Sequence, residues 1–447
     1  MNRFFRENKR KICIFFPIFL GLVYMSLCLV RLNVSITTDE AELDHISRST
    51  LDIAIYSQPP LTVFLFKIWG GLLGHDLATM RFLSVIFGII TILFVFKFVN
   101  YKYKTAAACA SSTLLAISPF FVHCGSLIWF CTIFTALFAA SSFFLQLYID
   151  NGEKKWLIIY FILAALGIWT HYLFVLVWIT HIIYLIICKK KKAILGFIVA
   201  FLTFIPWIPK MVSYFTYAHR SASGLNLSAL ANFWTETNVL LNAGSLKNFS
   251  ALLLLASTIA FATALIKNKR QKLFVLSFTI PLALILTLVA ANIIPFPPSR
   301  CLICITISIP IILGIALAKH SKTHKWRNPI IALIVLISSV FGLFNLYSGA
   351  ACSIIGCSNA NKVFANIEAF STENEAIITY ETDLYYQLKF YETDEHQVLT
   401  PSEIPEEDYW LVTSSGELNL DESIYEITDS ATLGYSDPIN LYKLHRK

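Results

Sequence analysis

Long apolar runs broken by short clusters of lysine and arginine set the pattern of this chain. Such runs predict membrane-crossing helices, and they fall at roughly 12–32, 78–99, 105–122, 126–149, 156–170, 172–188, 193–210, 248–266, 273–294, 301–318 and 328–346. The apolar stretch 156–188 is bounded by lysines at both ends, so it reads as two crossings that turn near Thr170, His171 and Tyr172. Residues 61–74 are apolar but number only 14. As a helix they reach about 21 Å, against a hydrocarbon core of about 30 Å. An interfacial helix opened by Pro59 and Pro60 is expected there. Beyond residue 350 strand-like runs at 376–380 and 410–413 alternate with amphipathic stretches, which predicts a small C-terminal α/β soluble domain. The expected fold is a polytopic α-helical membrane protein with about eleven transmembrane helices. Its membrane domain covers 1–349, with a first external loop at 33–77, and a small acidic domain covers 350–447.

Charge orients this arrangement. Six basic clusters, at 3–11, 97–104, 154–155, 189–192, 267–272 and 319–327, hold 22 of the 35 Lys and Arg. Placing all six in the cytoplasm satisfies the positive-inside rule. The N-terminus is then cytoplasmic, the loop 33–77 and the C-terminal domain are extracytoplasmic, and the location is the plasma (cytoplasmic) membrane. The first apolar run is too long for a signal-peptide core and lacks a small-residue cleavage site, so it reads as a retained span. With 56% hydrophobic residues and a mean hydropathy of +0.65, a soluble protein is excluded. The net charge of +7 divides unevenly: 347–447 carries 5 basic and 18 acidic residues, a net of −13, and the remainder carries +20. That split separates a membrane body from an acidic tail and does not indicate nucleic-acid binding.

Acids are scarce in the membrane half. Between residues 78 and 347 only Asp150, Glu153 and Glu236 occur, each in an expected loop. Asp39-Glu40 stands just past the first span. A carboxylate at a membrane surface can serve as general base toward a hydroxyl or amine, and Lys67, Arg81 and Arg300 supply cations at interfacial depth. Arginine suits a lipid phosphate because its planar fork binds phosphate oxygens in pairs. Read from composition alone, the arginines are equally snorkelling anchors, and the acids, with Glu42, Asp44 and Asp52 nearby, a solvated loop. Most of the ten cysteines lie in spans and read as packing residues, including Cys301 and Cys304. Cys352 and Cys357 are close enough in sequence for an extracytoplasmic disulfide. No cluster with metal-ligand spacing is evident.

The series Thr38-Asp39-Glu40-Ala41, Ser57-Gln58-Pro59-Pro60-Leu61, Ile68-Trp69-Gly70 and Met80-Arg81-Phe82-Leu83-Ser84 resembles the first external loop of the protein O-mannosyltransferase and aminoarabinose-transferase superfamily, the GT-C glycosyltransferases. Ser118-Pro119-Phe120, Thr170-His171-Tyr172, Pro206-Trp207-Ile208-Pro209 and Ser299-Arg300-Cys301-Leu302 continue it in order. The resemblance implies an inverting transfer of sugar from a polyprenyl-phosphate donor to an envelope acceptor, whether glycan, lipid or protein, with no cofactor and no metal. By motif position Asp39 is the expected base and Glu40 its support. Arg81 and Arg300, with Lys67, are expected on the donor phosphate, and His171 and Gln58 at the substrate. Two departures stand out. Gln58 replaces a frequent histidine, and where many relatives carry Arg-x-Tyr this chain has Trp129 and Cys131. The alternatives are a non-catalytic relative acting as a binding or scaffold protein, and a lipid-linked sugar transporter or flippase. Spans nearly free of acids and the lack of visible inverted repeats weigh against transport.

Overall fold

In the computed structural model the described residues up to 348 are mainly helical, and those beyond form a five-stranded sheet with two helices. Described are residues 9–48, 58–220, 231, 233, 235–236, 247–267, 272–294, 297, 299–318, 326–348, 360–370, 375–392, 396–400, 408–414, 425–433 and 439–446. Cys352 and Cys357 lie outside them. The first helices are α1 (Lys9–Leu29), α2 (Thr38–Arg48), α3 (Leu61–Leu73), α4 (Leu77–Lys102), α5 (Thr105–Ala116), α6 (Pro119–Gly125) and α7 (Cys131–Asn151). Then come α8 (Lys154–Ile168), α9 (Phe174–Ile187), α10 (Leu195–Leu202), α11 (Ile208–Arg220), α12 (Lys247–Lys267), α13 (Lys272–Ala290), α14 (Ile303–Leu317) and α15 (Arg327–Tyr347).

Among the described residues six helices are long and apolar enough to cross a membrane, and up to eight if each of two bent pairs counts as one span. Of the eleven crossings expected, six to eight are met by length and composition among the described residues, and the polytopic helical body is as expected. The run 105–122 is two helices bent by 63°, because Pro119 opens α6 and has no N–H to continue the α5 ladder. The run 193–210 bends by 50° around Pro206 and continues as α11 into the segment expected to be an outer loop. Helices α8 and α9, at 15 and 14 residues, are each shorter than a hydrocarbon core. Phe15, Phe19, Ile198, Val199, Leu252, Leu255, Ile330 and Leu333 lie exposed on the helical body. Apolar surface on that scale needs lipid to cover it, and the protein is a multi-pass membrane protein.

Local chemistry explains the element ends. Asp76 caps α4 by accepting from the Thr79 N–H at 3.0 Å, and hydrogen bonds from Thr79 hold its carboxyl below the usual range. Gly152, at φ +75°, closes α7 in the left-handed cap that glycine adopts without steric cost. Inside the body small residues let helices approach closely. Ser111 of α5 donates to the Ile311 carbonyl of α14 at 3.1 Å, and a Cβ on Gly314 would run into the Ser111 backbone.

The C-terminal region comprises α16 (Ala360–Phe370), β1 (Ala376–Ile378), α17 (Thr382–Tyr391), β2 (Val398–Leu399), β3 (Tyr409–Thr413), β4 (Tyr425–Leu433) and β5 (Ile439–Arg446). The order is β2-β1-β3-β5-β4, parallel across β2-β1-β3 and antiparallel across β3-β5-β4. Alternation along β3 sends Trp410 and Val412 to the face covered by α16 and α17, where they join Val363, Ile367, Leu384 and Leu388. Tyr409 and Leu411 face the other side with Ile378 and Leu444. Tyr386, Phe390 and Tyr391 of α17 pack against the membrane body.

Candidate active site

The helix expected after Pro59 and Pro60 is present as α3, but the first external loop holds a second helix, α2, and a capping box starts it. The Thr37 N–H donates to Glu40 Oε2 at 3.0 Å, and the Glu40 N–H donates to Thr37 Oγ1 at 3.4 Å. Asp39 and Glu40 therefore occupy its first turn, where the helix dipole favours negative charge. Neighbours on a helix diverge by about 100°, and the two acids meet different partners.

Glu40 points inward and is fully buried. Arg81 of α4 grips it with two bonds, Nε to Oε1 at 2.8 Å and Nη2 to Oε2 at 2.7 Å. The Ile128 N–H adds a third at 2.8 Å. The remaining Arg81 donors reach the carbonyls of Arg31, Leu32, Val34 and Ser35. All five guanidinium N–H groups are engaged and the side chain is 2% exposed. This departs from the expected phosphate contact, because Arg81 has no donor left for one.

Asp39 points the other way. Its Oδ2 lies 2.5 Å from Nη2 of Arg300, which stands in the 3-10 turn Ser299–Leu302 ahead of α14. Both side chains are about one-third exposed. The thiol of Cys131 donates to the Arg300 carbonyl at 3.6 Å, and the Glu236 charge also reaches Arg300. Gln58 interacts with Tyr214 of α11, on which the Asp39 and Arg300 charges also act. Tyr214 belongs to no motif and lies where the pattern predicts an outer loop; in the fold its ring packs with those of Tyr172 and Phe215.

His171 lies in the turn between α8 and α9, stacked on Phe130 with centroids 4.1 Å apart. Its Nδ1 accepts from the Leu173 N–H at 3.2 Å, which leaves the proton on Nε2. Nε2 and the Trp129 Nε1 are buried without a hydrogen-bond partner among the described residues. Burial pushes the imidazole down to about 3. The Leu61 N–H donates to the Trp169 carbonyl at 3.0 Å, which ties the Pro59-Pro60 motif to the turn carrying His171. Lys67, half-buried on α3, enters no ion pair among the described residues. Asp44, read as solvated, is buried and bridges His75 at 3.1 Å and Arg48 at 2.8 Å. Among the described residues no group of three or more His, Cys, Asp or Glu is placed to hold a metal ion.

Residues 57–209 match the family model described as dolichyl-phosphate-mannose-protein mannosyltransferase. That window contains Gln58, Lys67, Arg81 and His171 but not Asp39, Glu40 or Arg300. No match was found among curated proteins. The fold is similar to ArnT from Cupriavidus metallidurans bound to undecaprenyl phosphate, with TM-score 0.59, 12% identity, and coverage of 95% of this chain and 97% of that one. The apo state of that protein gives 0.61 at the same identity and coverage. An oligosaccharyltransferase from Archaeoglobus fulgidus, complexed with Zn and sulfate, gives 0.54 at 12% identity, over 88% of this chain and 63% of that one.

Proposed function

We propose, from the family match over 57–209 and the ArnT-like fold, that this protein is a GT-C glycosyltransferase that moves a sugar from a polyprenyl-phosphate donor to an envelope acceptor. The observation that carries the reading is the half-open Asp39–Arg300 pair beside the closed Glu40–Arg81 pair. A ligand can engage the first pair; the second is internally satisfied and frames it.

In this reading the donor phosphate binds Arg300 and draws it from Asp39. The freed carboxylate takes the proton of the acceptor hydroxyl as that oxygen attacks the anomeric carbon. The bond from that carbon to the phosphate oxygen breaks, and Arg300 holds the leaving phosphate's charge. Arg81 and Glu40 fix the loop. Lys67 remains a second cation for the phosphate, and Gln58, Tyr214 and His171 line the substrate side. The site faces outward, with 1–349 as the transferase unit, 350–447 as an extracytoplasmic unit, and the short helices α8 and α9, with α12, completing eleven crossings.

Transfer from a panel of labelled polyprenyl-phosphate sugars to extracted envelope acceptors, by protein in nanodiscs, tests this. One donor turned over by wild type and not by Asp39→Asn is expected. Donor binding without turnover of any donor would favour the non-catalytic alternative, and equal turnover in both proteins would remove Asp39 as the base.

A further inference from the structure

Helix α17 reaches from the C-terminal sheet to the segment that carries the two acids. Gln387 Nε2 donates to Thr38 Oγ1 at 2.6 Å, and the Ile36 N–H donates to the Tyr391 hydroxyl at 2.9 Å. Gln387 and Tyr391 stand four residues apart, so they share one helix face. On the same helix Tyr386 packs its ring against His45 of α2, centroids 5.3 Å apart. Leu384 and Leu388 turn to the sheet core under Trp410. Glu381, the residue before α17, accepts from Thr413 Oγ1 at 2.6 Å and from the Ser414 N–H at 2.7 Å. The helix is thus fastened to the sheet on one side and to α2 on the other.

The lead-in to a helix is where its backbone is least held, since the first N–H groups have no partner within the helix. Here the Thr37 N–H goes to Glu40, which Arg81 holds from α4. The Ile36 N–H, one residue earlier, goes to Tyr391. The hydroxyl of Thr38, directly before Asp39, accepts from Gln387, which is only 6% exposed. Two elements far apart in the chain therefore hold the segment on which Asp39 sits, and Arg300 reaches its carboxylate.

We propose that Gln387 and Tyr391 are positioning residues for the Asp39 carboxylate, which makes α17 part of the frame of the active centre. The catalytic consequence rests on Asp39 being the base; the mechanical coupling does not.

The test uses the full chain in nanodiscs, comparing wild type with Tyr391→Phe, Gln387→Ala and the double variant. Tyr391→Phe removes one oxygen and keeps the ring, so the fold is retained. Backbone hydrogen exchange over residues 36–41 is read by mass spectrometry. The double variant is expected to exchange roughly three- to tenfold faster there. Glu375→Gln serves as control, because Glu375 holds Trp410 and Lys443 within the sheet and does not touch α2. Its exchange at 36–41 is expected to equal wild type. Unchanged exchange in the double variant, or equal acceleration in the control, overturns the proposal.

Where wild type turns over a donor, kcat of the double variant is expected to fall roughly tenfold at constant donor KM, as for a base held slightly out of place. Thr38→Ser keeps the acceptor oxygen and should stay near wild type, whereas Thr38→Val should follow Gln387→Ala. A parallel fall in Glu375→Gln, or a rise in KM alone, would overturn the positioning role. Asp39→Asn run alongside separates the two ideas: full turnover in that variant defeats the base, and with it the catalytic consequence, while the exchange data judge the coupling alone.

Discussion

Glu40 and Arg81, 41 residues apart in sequence, form a buried two-pronged ion pair with contacts of 2.8 and 2.7 Å. Both partners are buried; Arg81 spends its remaining donors on carbonyls of Arg31, Leu32, Val34 and Ser35, and Glu40 accepts further from the N–H groups of Thr37 and Ile128. Such a pair is costly to halve, because removing one partner strands a charge in a low-dielectric interior. Arg81→Met should destabilise the protein by about 3–5 kcal/mol. Arg81→Lys should rescue little of this, since an ammonium cannot reproduce the planar fork. Thermal unfolding in detergent checks both.

At the open pair, Arg300→Met should weaken binding of undecaprenyl phosphate, supplied without sugar, by roughly tenfold or more. Asp39→Asn should leave that binding equal or tighter, because it frees the guanidinium from its carboxylate. Ligand-induced stabilisation in nanodiscs across a concentration series reads both. Tighter binding in Arg300→Met would move the phosphate elsewhere.

His171 makes stability depend on pH. Its folded value of about 3 lies below the ordinary imidazole value near 6.5. Between those values the unfolded chain binds the extra proton, so stability is complete above about pH 6.5 and is lost as pH falls toward 3. The slope has a ceiling of about 1.4 kcal/mol per pH unit. His171→Phe keeps the stack on Phe130 and should flatten this loss relative to wild type, as followed by unfolding between pH 4 and 7.

The contact of α5 with α14 predicts a strong effect from one methyl group. Gly314→Ala places a Cβ against the Ser111 backbone, which has no flexible end to yield. A loss of about 1–3 kcal/mol is expected. Leu252→Ala, at an exposed position where truncation leaves no cavity, should be nearly neutral in the same unfolding assay.

Restoring the Arg-x-Tyr of relatives should fail. Cys131 is fully buried beside the Arg300 carbonyl, so Cys131→Tyr overpacks the site by about 1–3 kcal/mol. Trp129→Arg would bury a new cation where Glu40, the nearby acid, is already saturated by Arg81. Reduced yield of folded protein for the double variant, by size-exclusion chromatography, is the expected result.

Much of this was legible in the residues themselves. Apolar runs and basic clusters located the helices of the membrane body, because burying long apolar stretches needs no tertiary partner other than lipid. The alternating runs near 376 and 410 became β1 and β3. The helix at 38–48 was also written there, as Thr37 three residues ahead of Glu40, though its charged composition read as loop. The bends at Pro119 and Pro206 were marked by proline, but not their angles. Motif position ranked Asp39 before Glu40, but the residues alone gave no reason for it. Adjacent acids of like chemistry part company only when a helix turns them to different sides, one toward Arg81 inside and one toward Arg300 at the opening. Nor could it show α17 resting on α2, since that contact joins residues more than three hundred positions apart and depends on where the sheet docks. Local periodicity determines elements; which charge ends up solvated, and which is spent holding the fold, is decided by packing alone.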